Sequence, residues 1–286
     1  MFPNSAEDSR ADSPGRTFRL TLAYDGSDFF GWQVQPGLPT IQGALADAVH
    51  DVVGERVLPQ GSGRTDTGVH AEGQVASLVL QAAIPTERLH RAINRRLPAA
   101  IRVMELDEVA AGFHARANVV NKTYEYRIFE RRVVGKKHER ICPPTVARFV
   151  WDCRWAVAMD AMNSAAAVLV GTHDFTSFAA TDPDRTRRIA EAAEPVSNVR
   201  TVFAAAWRRE AELLVFRVTG SGFLHHMVRN IVGTCVDAGA GRVYAADVPA
   251  MLAARDRSKA GATAPPQGLH LVQVVYAGDV EKEVGA

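Results

Sequence analysis

Hydrophobic periodicity along this chain switches repeatedly between two and about 3.6 residues, and the order of those switches limits the fold more than any other feature. From Thr17 to Ala23, Phe18, Leu20 and Leu22 alternate with Arg19 and Thr21, as in a half-buried strand. Thr40 can cap a helix from Ile41 to Val53, with Ile41, Leu45, Val49, Val52 and Val53 on one face and Gly54 as its stop. A strand at 74–80 follows. Thr86 then caps a second helix with Leu89, Ile93 and Leu97 spaced by four, and 101–106 reads as another strand. Downstream the pattern predicts a strand over 122–129 and a helix over 159–170 closed by Gly171. Next come strands 199–207 and 212–219 as a hairpin, a helix from Phe223 to about Ala238, a short helix near 247–254 and a last strand at 269–276.

Strands alternate with helices, yet hairpins are present. That favours an α+β fold with mainly antiparallel sheets over a doubly wound parallel one. Each half carries several strands and two helices. The expected architecture is two similar subdomains, 16–115 and 116–280, with helices on one side of the sheets and a central cleft on the other. Residues 1–15, with Pro3, Ser5, Ser9, Pro14 and Gly15, read as a disordered tail.

Composition narrows function mainly by exclusion. The net charge of +1 gives no global field for a polyanion, but only five of the 33 basic residues are lysine. Arginine's planar fork suits phosphate and can stack on bases, although an arginine-rich genome would give the same bias. Three scattered cysteines without a CxxC pair argue against a disulfide framework and a zinc ribbon. His138 and Cys142 lack two further ligands at sensible spacing. With no secretory leader and no run of 18 apolar residues, a soluble cytoplasmic protein is expected.

The densest chemistry lies in Gly61-Ser62-Gly63-Arg64-Thr65-Asp66-Thr67-Gly68-Val69-His70. This loop matches neither a phosphate-binding loop, nor a dinucleotide fingerprint, nor a calcium loop. What remains is one carboxylate, Asp66, beside Arg64, a pairing that suits a nucleophile or base; a tight turn in which Asp66 bonds its own backbone is the alternative. Tyr124 and Tyr126 are expected one toward the core and one toward the opposite face, where an aromatic can stack on a base. In Gly222-Phe223-Leu224-His225-His226-Met227-Val228-Arg229-Asn230, Arg229 sits one turn after the histidines and between apolar stripes. A partly buried arginine needs an anion, either Asp66 or another carboxylate. Adjacent histidines on a helix point about 100° apart, a poor chelating pair, so no metal site is expected. Arg255-Asp256-Arg257-Ser258 and Pro265-Pro266-Gln267-Gly268 read as a surface loop.

Taken in register, Tyr24-Asp25-Gly26, the Asp66 stretch from Gly63 to His70, Phe113-His114-Ala115-Arg116, Tyr124, Asp174-Phe175-Thr176-Ser177-Phe178, Phe223 to Asn230 and Gly268-Leu269 resemble the TruA family of tRNA pseudouridine synthases from about Phe18 to Tyr276. The resemblance implies isomerisation of uridine to pseudouridine in the tRNA anticodon stem-loop, at positions 38, 39 and 40, by a cofactor-free homodimer. It implies that Asp66 is catalytic, that Arg64 helps flip the target base out, that Tyr124 packs on the uracil, and that Arg229 pairs with the catalytic carboxylate. Thr67 stands where the family often has alanine. Basic clusters at 131–140 and 185–188 are candidates for tRNA backbone contacts, with ordinary solvated loops as the alternative. Two rival classes are a non-catalytic RNA-binding protein and a carboxylate-dependent glycosidase, which usually needs two acids where this chain offers one convincing candidate.

Overall fold

The computed structural model describes residues 15–181 and 197–279. All but Gly15 of the tail expected over 1–15, and the basic run 185–188, lie outside these described residues. Ten strands form one sheet in the order β4-β1-β3-β10-β5-β9-β8-β7, with β2 on β3 and β6 on β5. They are β1 (Arg16–Tyr24), β2 (Gln60–Gly61), β3 (His70–Leu80), β4 (Ile101–Val109), β5 (Val119–Glu130), β6 (Trp151–Cys153), β7 (Gly171–Asp174), β8 (Val199–Glu210), β9 (Leu213–Gly220) and β10 (Leu269–Tyr276). Every pairing is antiparallel except β10 with β3 and β5 with β6, so the class is α+β with a mainly antiparallel sheet.

The two halves meet along a short parallel seam, His270 opposite His70 and Leu271 opposite Ala71. The two sheets expected from periodicity are therefore one continuous sheet. The last strand in sequence reaches its centre, a long-range pairing that local patterning cannot reveal.

Helix α1 (Ile41–Val53) follows its local signals: Thr40 Oγ1 accepts from the Gly43 amide and Gly54 closes the helix. Helix α2 (Thr86–Arg96) differs, because Pro85 rather than Thr86 holds the cap position. A four-residue helix, α3 (Pro144–Ala147), was not anticipated. Helix α4 (Met159–Ala167) stops short of Gly171, which opens β7 instead. Helix α5 (Met227–Gly239) starts four residues after Phe223, because His226 adopts the left-handed backbone region at φ 59°. Helix α6 (Val248–Ala254) is as placed. Among the described residues no helix is long and apolar enough to cross a membrane.

Facing preferences fix the site's position. Residues two apart in a strand share a face. Tyr124 and Tyr126 are therefore on the same side, not on opposite sides as expected. Tyr126 lies opposite Phe216, Phe216 stacks on Trp207, and Trp207 lies against Cys235 of α5. Their common face is the helix-bearing one, so Tyr124 looks toward the helices and not onto a helix-free cleft. The other face carries Glu125, almost fully buried and held by Arg127 at 3.1 Å, Arg208 at 3.0 Å and Arg217 at 2.8 Å. Burial pushes that carboxyl's pKa up, but the arginine hydrogen bonds outweigh burial and leave it lowered. The polar coat on that face is a paired charge network, and the apolar core lies under the helices.

Candidate active site

The loop between β2 and β3 is held by its own backbone. Trp32 N donates to Thr65 O at 3.0 Å, Val69 N to Asp66 O at 3.1 Å and Lys122 Nζ to Ser62 O at 2.6 Å. Side chains beneath complete the brace. Tyr24 OH meets Thr65 Oγ1 at 2.8 Å, and fully buried Gln74 accepts from Ser62 Oγ at 2.7 Å while donating to Gly63 O at 3.0 Å. Gly31, at φ 82°, presses on this loop; a Cβ there would lie 2.6 Å from Thr65 O. At Gly26 a Cβ would meet Val69 O at 2.0 Å, so two chain segments touch backbone to backbone.

These braces leave the Asp66 side chain to cross to the other half of the molecule. Its Oδ2 accepts from Arg229 Nη1 at 3.0 Å. Of the two anions that could have answered Arg229, Asp66 is the one present, and the carboxylate pairs across the molecule instead of capping its own turn. Arg229 Nε donates to Ala264 O at 2.8 Å, and the Ala264 amide donates back to Arg229 O at 3.1 Å. The guanidinium is thus held at two points before any ligand arrives.

Two imidazoles complete the cluster. His225 Nε2 is 3.6 Å from Asp66 Oδ1 and His226 Nε2 is 3.4 Å from Asp66 Oδ2. The 100° rule fails here because both residues precede the helix; their ring centroids are only 4.0 Å apart. Burial lowers the His226 pKa, partly opposed by the Asp66 charge and reinforced by His225 and Arg229.

Tyr124 forms the nearby wall. It is buried, sits edge-on to Phe223 with centroids 5.2 Å apart, and has its phenol pKa raised by burial and then by Tyr24 and Asp66. Arg64 is half-buried on the Asp66 loop. The Phe113–Arg116 segment is fastened elsewhere, through the Ala115 amide to Ser77 Oγ at 3.0 Å and Tyr276 OH to Ala115 O at 2.5 Å.

The loop at 255–268 is more than surface. Arg257 Nη2 and Thr263 Oγ1 donate to Asn230 Oδ1 at 2.9 and 2.7 Å, while Asn230 Nδ2 donates to Phe178 O at 2.7 Å. That fully buried asparagine ties the 175–178 turn and the 257–264 loop to the residue after Arg229. Sequence reasoning missed Tyr24, Gln74 and Lys122 as supports. Lys122, whose pKa burial and then Arg116 lower to about 8, had a signal only in being one of five lysines. Concavities of about 510 and 630 Å³ run along Arg132 to Arg140, and Lys136, Lys137 and His138 line both.

Comparison with known proteins adds an independent line. The family model described as tRNA pseudouridine synthase matches residues 21–116 and 165–277. A tRNA pseudouridine synthase A from Solibacter usitatus is 46% identical over 261 residues, covering 91% of this chain and 100% of that protein. Its counterparts from Moorella thermoacetica and Bacillus pumilus are 44% and 40% identical, each covering 90% of this chain and 98% of the relative.

Proposed function

The chain belongs to the tRNA pseudouridine synthase family, an isomerase family, and from that premise we propose how its own residues carry out the reaction. Uridine in tRNA becomes pseudouridine by cleavage of the N1–C1′ bond, rotation of the uracil and closure of a C5–C1′ bond. The C5 proton is lost and N1 gains one, so atoms balance without an external reactant. The single observation that carries the assignment is the 3.0 Å contact between Asp66, on a loop braced by β2 and β3, and Arg229, on a helix of the other half.

Asp66 is the catalytic carboxylate in this reading. Arg229 fixes its orientation and balances its charge in a site where both groups are largely removed from water. Tyr124, neutral because burial raises its pKa, gives the uracil an apolar wall. The detached base must stay in place while it rotates, so the walls and the exclusion of water matter as much as the charge. The target nucleoside must first leave its stack, at a cost of a few kcal/mol. Arg64, on the same loop, is the residue proposed to help turn that base out of the stack.

The substrate proposed is the anticodon stem-loop, with uridines 38, 39 and 40 as targets, bound by a homodimer in the cytoplasm. The unstacked bases of a loop lower the cost of extrusion, and Lys136 and Lys137 offer charge to its phosphates. The two subdomains, 16–115 and 116–280, would each supply one side of the site, Asp66 from the first and Tyr124 and Arg229 from the second. The test is position-resolved mapping of pseudouridine in an unmodified tRNA incubated with the enzyme. New pseudouridine at 38–40 supports the assignment, and modification confined to another arm of the tRNA refutes it.

A further inference from the structure

We propose that Asp66, His225 and His226 together bind a zinc-class divalent transition-metal ion, and that this ion blocks the enzyme. The three side chains place one carboxylate oxygen and two imidazole nitrogens within 4.8 Å of one another. A tetrahedral zinc ion with bonds of about 2.0–2.1 Å holds its ligand atoms roughly 3.4 Å apart. The separations from the Asp66 oxygens are 3.6 Å for His225 Nε2 and 3.4 Å for His226 Nε2. Each imidazole nitrogen thus stands near that spacing from one of the two carboxylate oxygens, and a small closing of the three groups would bring them around one ion.

An independent observation concerns His225. Its Nδ1 donates to Thr181 O at 3.0 Å, which turns Nε2 toward Asp66. Metal-binding histidines are typically oriented by this kind of hydrogen bond from the far ring nitrogen. His226 takes a left-handed backbone at φ 59°, which is uncommon for a residue other than glycine. Two imidazoles and a carboxylate suit zinc, cobalt, nickel or copper, and discriminate against magnesium, which prefers oxygen ligands. Magnesium accompanying tRNA therefore leaves the site alone. The Arg229 guanidinium shares Asp66 Oδ2 and repels a cation, so binding is weaker than at a structural zinc site. An ion on Asp66 removes the carboxylate from the chemistry and fills the space of the uracil. That inhibitory half of the proposal rests on the role given to Asp66; the binding half does not.

The experiment titrates RNA-free protein with Zn²⁺ by calorimetry, comparing wild type with His225→Ala and His226→Asn, the latter because asparagine accepts the left-handed backbone. One site per chain is expected in the wild type, weakened at least tenfold in both variants. Co²⁺ bound in its place should give a visible d–d spectrum without the thiolate charge-transfer band that Cys142 would produce. In parallel, Zn²⁺ at constant Mg²⁺ should inhibit wild-type isomerisation, chelation should restore it, and the histidine variants should need at least tenfold more Zn²⁺. Equal affinity in wild type and both folded variants overturns the site. Histidine-dependent binding that leaves wild-type turnover untouched overturns the inhibition, while the catalytic assignment of Asp66 is decided separately by the activity of Asp66→Asn.

Discussion

Arg229 donates from Nη1 to Asp66 Oδ2 at 3.0 Å across a sequence separation of 163 residues, while its Nε is fixed on Ala264 O. A charge pair made from two halves of a chain, with the cation held by a backbone carbonyl, is preorganised in the absence of substrate. On the proposed reading Arg229 is part of the chemistry. Arg229→Ala should lower kcat by on the order of 100-fold or more, as the loss of one preorganised electrostatic partner does elsewhere. Arg229→Lys should recover little, since an ammonium cannot hold Asp66 and Ala264 O through separate fixed donors. Single-turnover conversion of a saturating tRNA measures both.

In the proposed mechanism Tyr124 serves as a surface rather than as an acid. Its phenol is buried and its pKa is raised, so it stays protonated throughout the working range. Tyr124→Phe should keep turnover within a few-fold, and the rate should show no phenol titration between pH 7 and 9. Tyr124→Ala should lose about 1–3 kcal/mol of base stacking and reduce turnover accordingly. A large loss in Tyr124→Phe would assign the hydroxyl a direct part.

Asn230 is the structural knot behind the site. Its amide serves Phe178 O, Arg257 and Thr263 in a fully buried position. Asn230→Ala strands a carbonyl and part of a guanidinium, which should cost about 2–3 kcal/mol in urea unfolding. It should also slow catalysis, because it frees the first turn of α5 from the loop that aims Arg229.

The seam between the halves predicts acid sensitivity. His270 stacks on His70 at 4.8 Å, and its Nε2 donates to Phe149 O at 3.0 Å. Burial, followed by the Arg127 charge, lowers its pKa from 6.5 to about 3. The unfolded chain therefore takes up a proton below pH 6.5 that the folded state resists until about pH 3. The stabilisation is complete above pH 6.5 and falls by up to about 1.4 kcal/mol per pH unit as pH drops toward 3. Thermal unfolding between pH 7 and 4.5 should show this slope in the wild type, and a shallower one in His270→Phe.

Much of this architecture could be read in the sequence because the signals were local. The Thr40 cap, the Gly54 stop and the alternation of Phe18, Leu20 and Leu22 act within a few residues, and each element forms where expected. The misreadings have a common cause in tertiary context. The apolar spacing from Phe223 continues a helical stripe, but His226 takes a left-handed turn and the helix starts at Met227. The parallel pairing of β10 with β3 joins residues 200 positions apart, His70 with His270, and leaves no local trace. For the site, residue chemistry alone left Arg229 with either of two partners, and the family resemblance supplied the pairing with Asp66. Tyr24, Gln74 and Lys122 stayed hidden because a buried polar support looks, in sequence, like any other strand residue.

The most direct test is tritium release from tRNA labelled at uridine C5, comparing wild type with Asp66→Asn. The account predicts release by the wild type and none above background by the variant, with tRNA affinity kept within a few-fold. Release by a folded, tRNA-bound Asp66→Asn enzyme at a rate near wild type would contradict it.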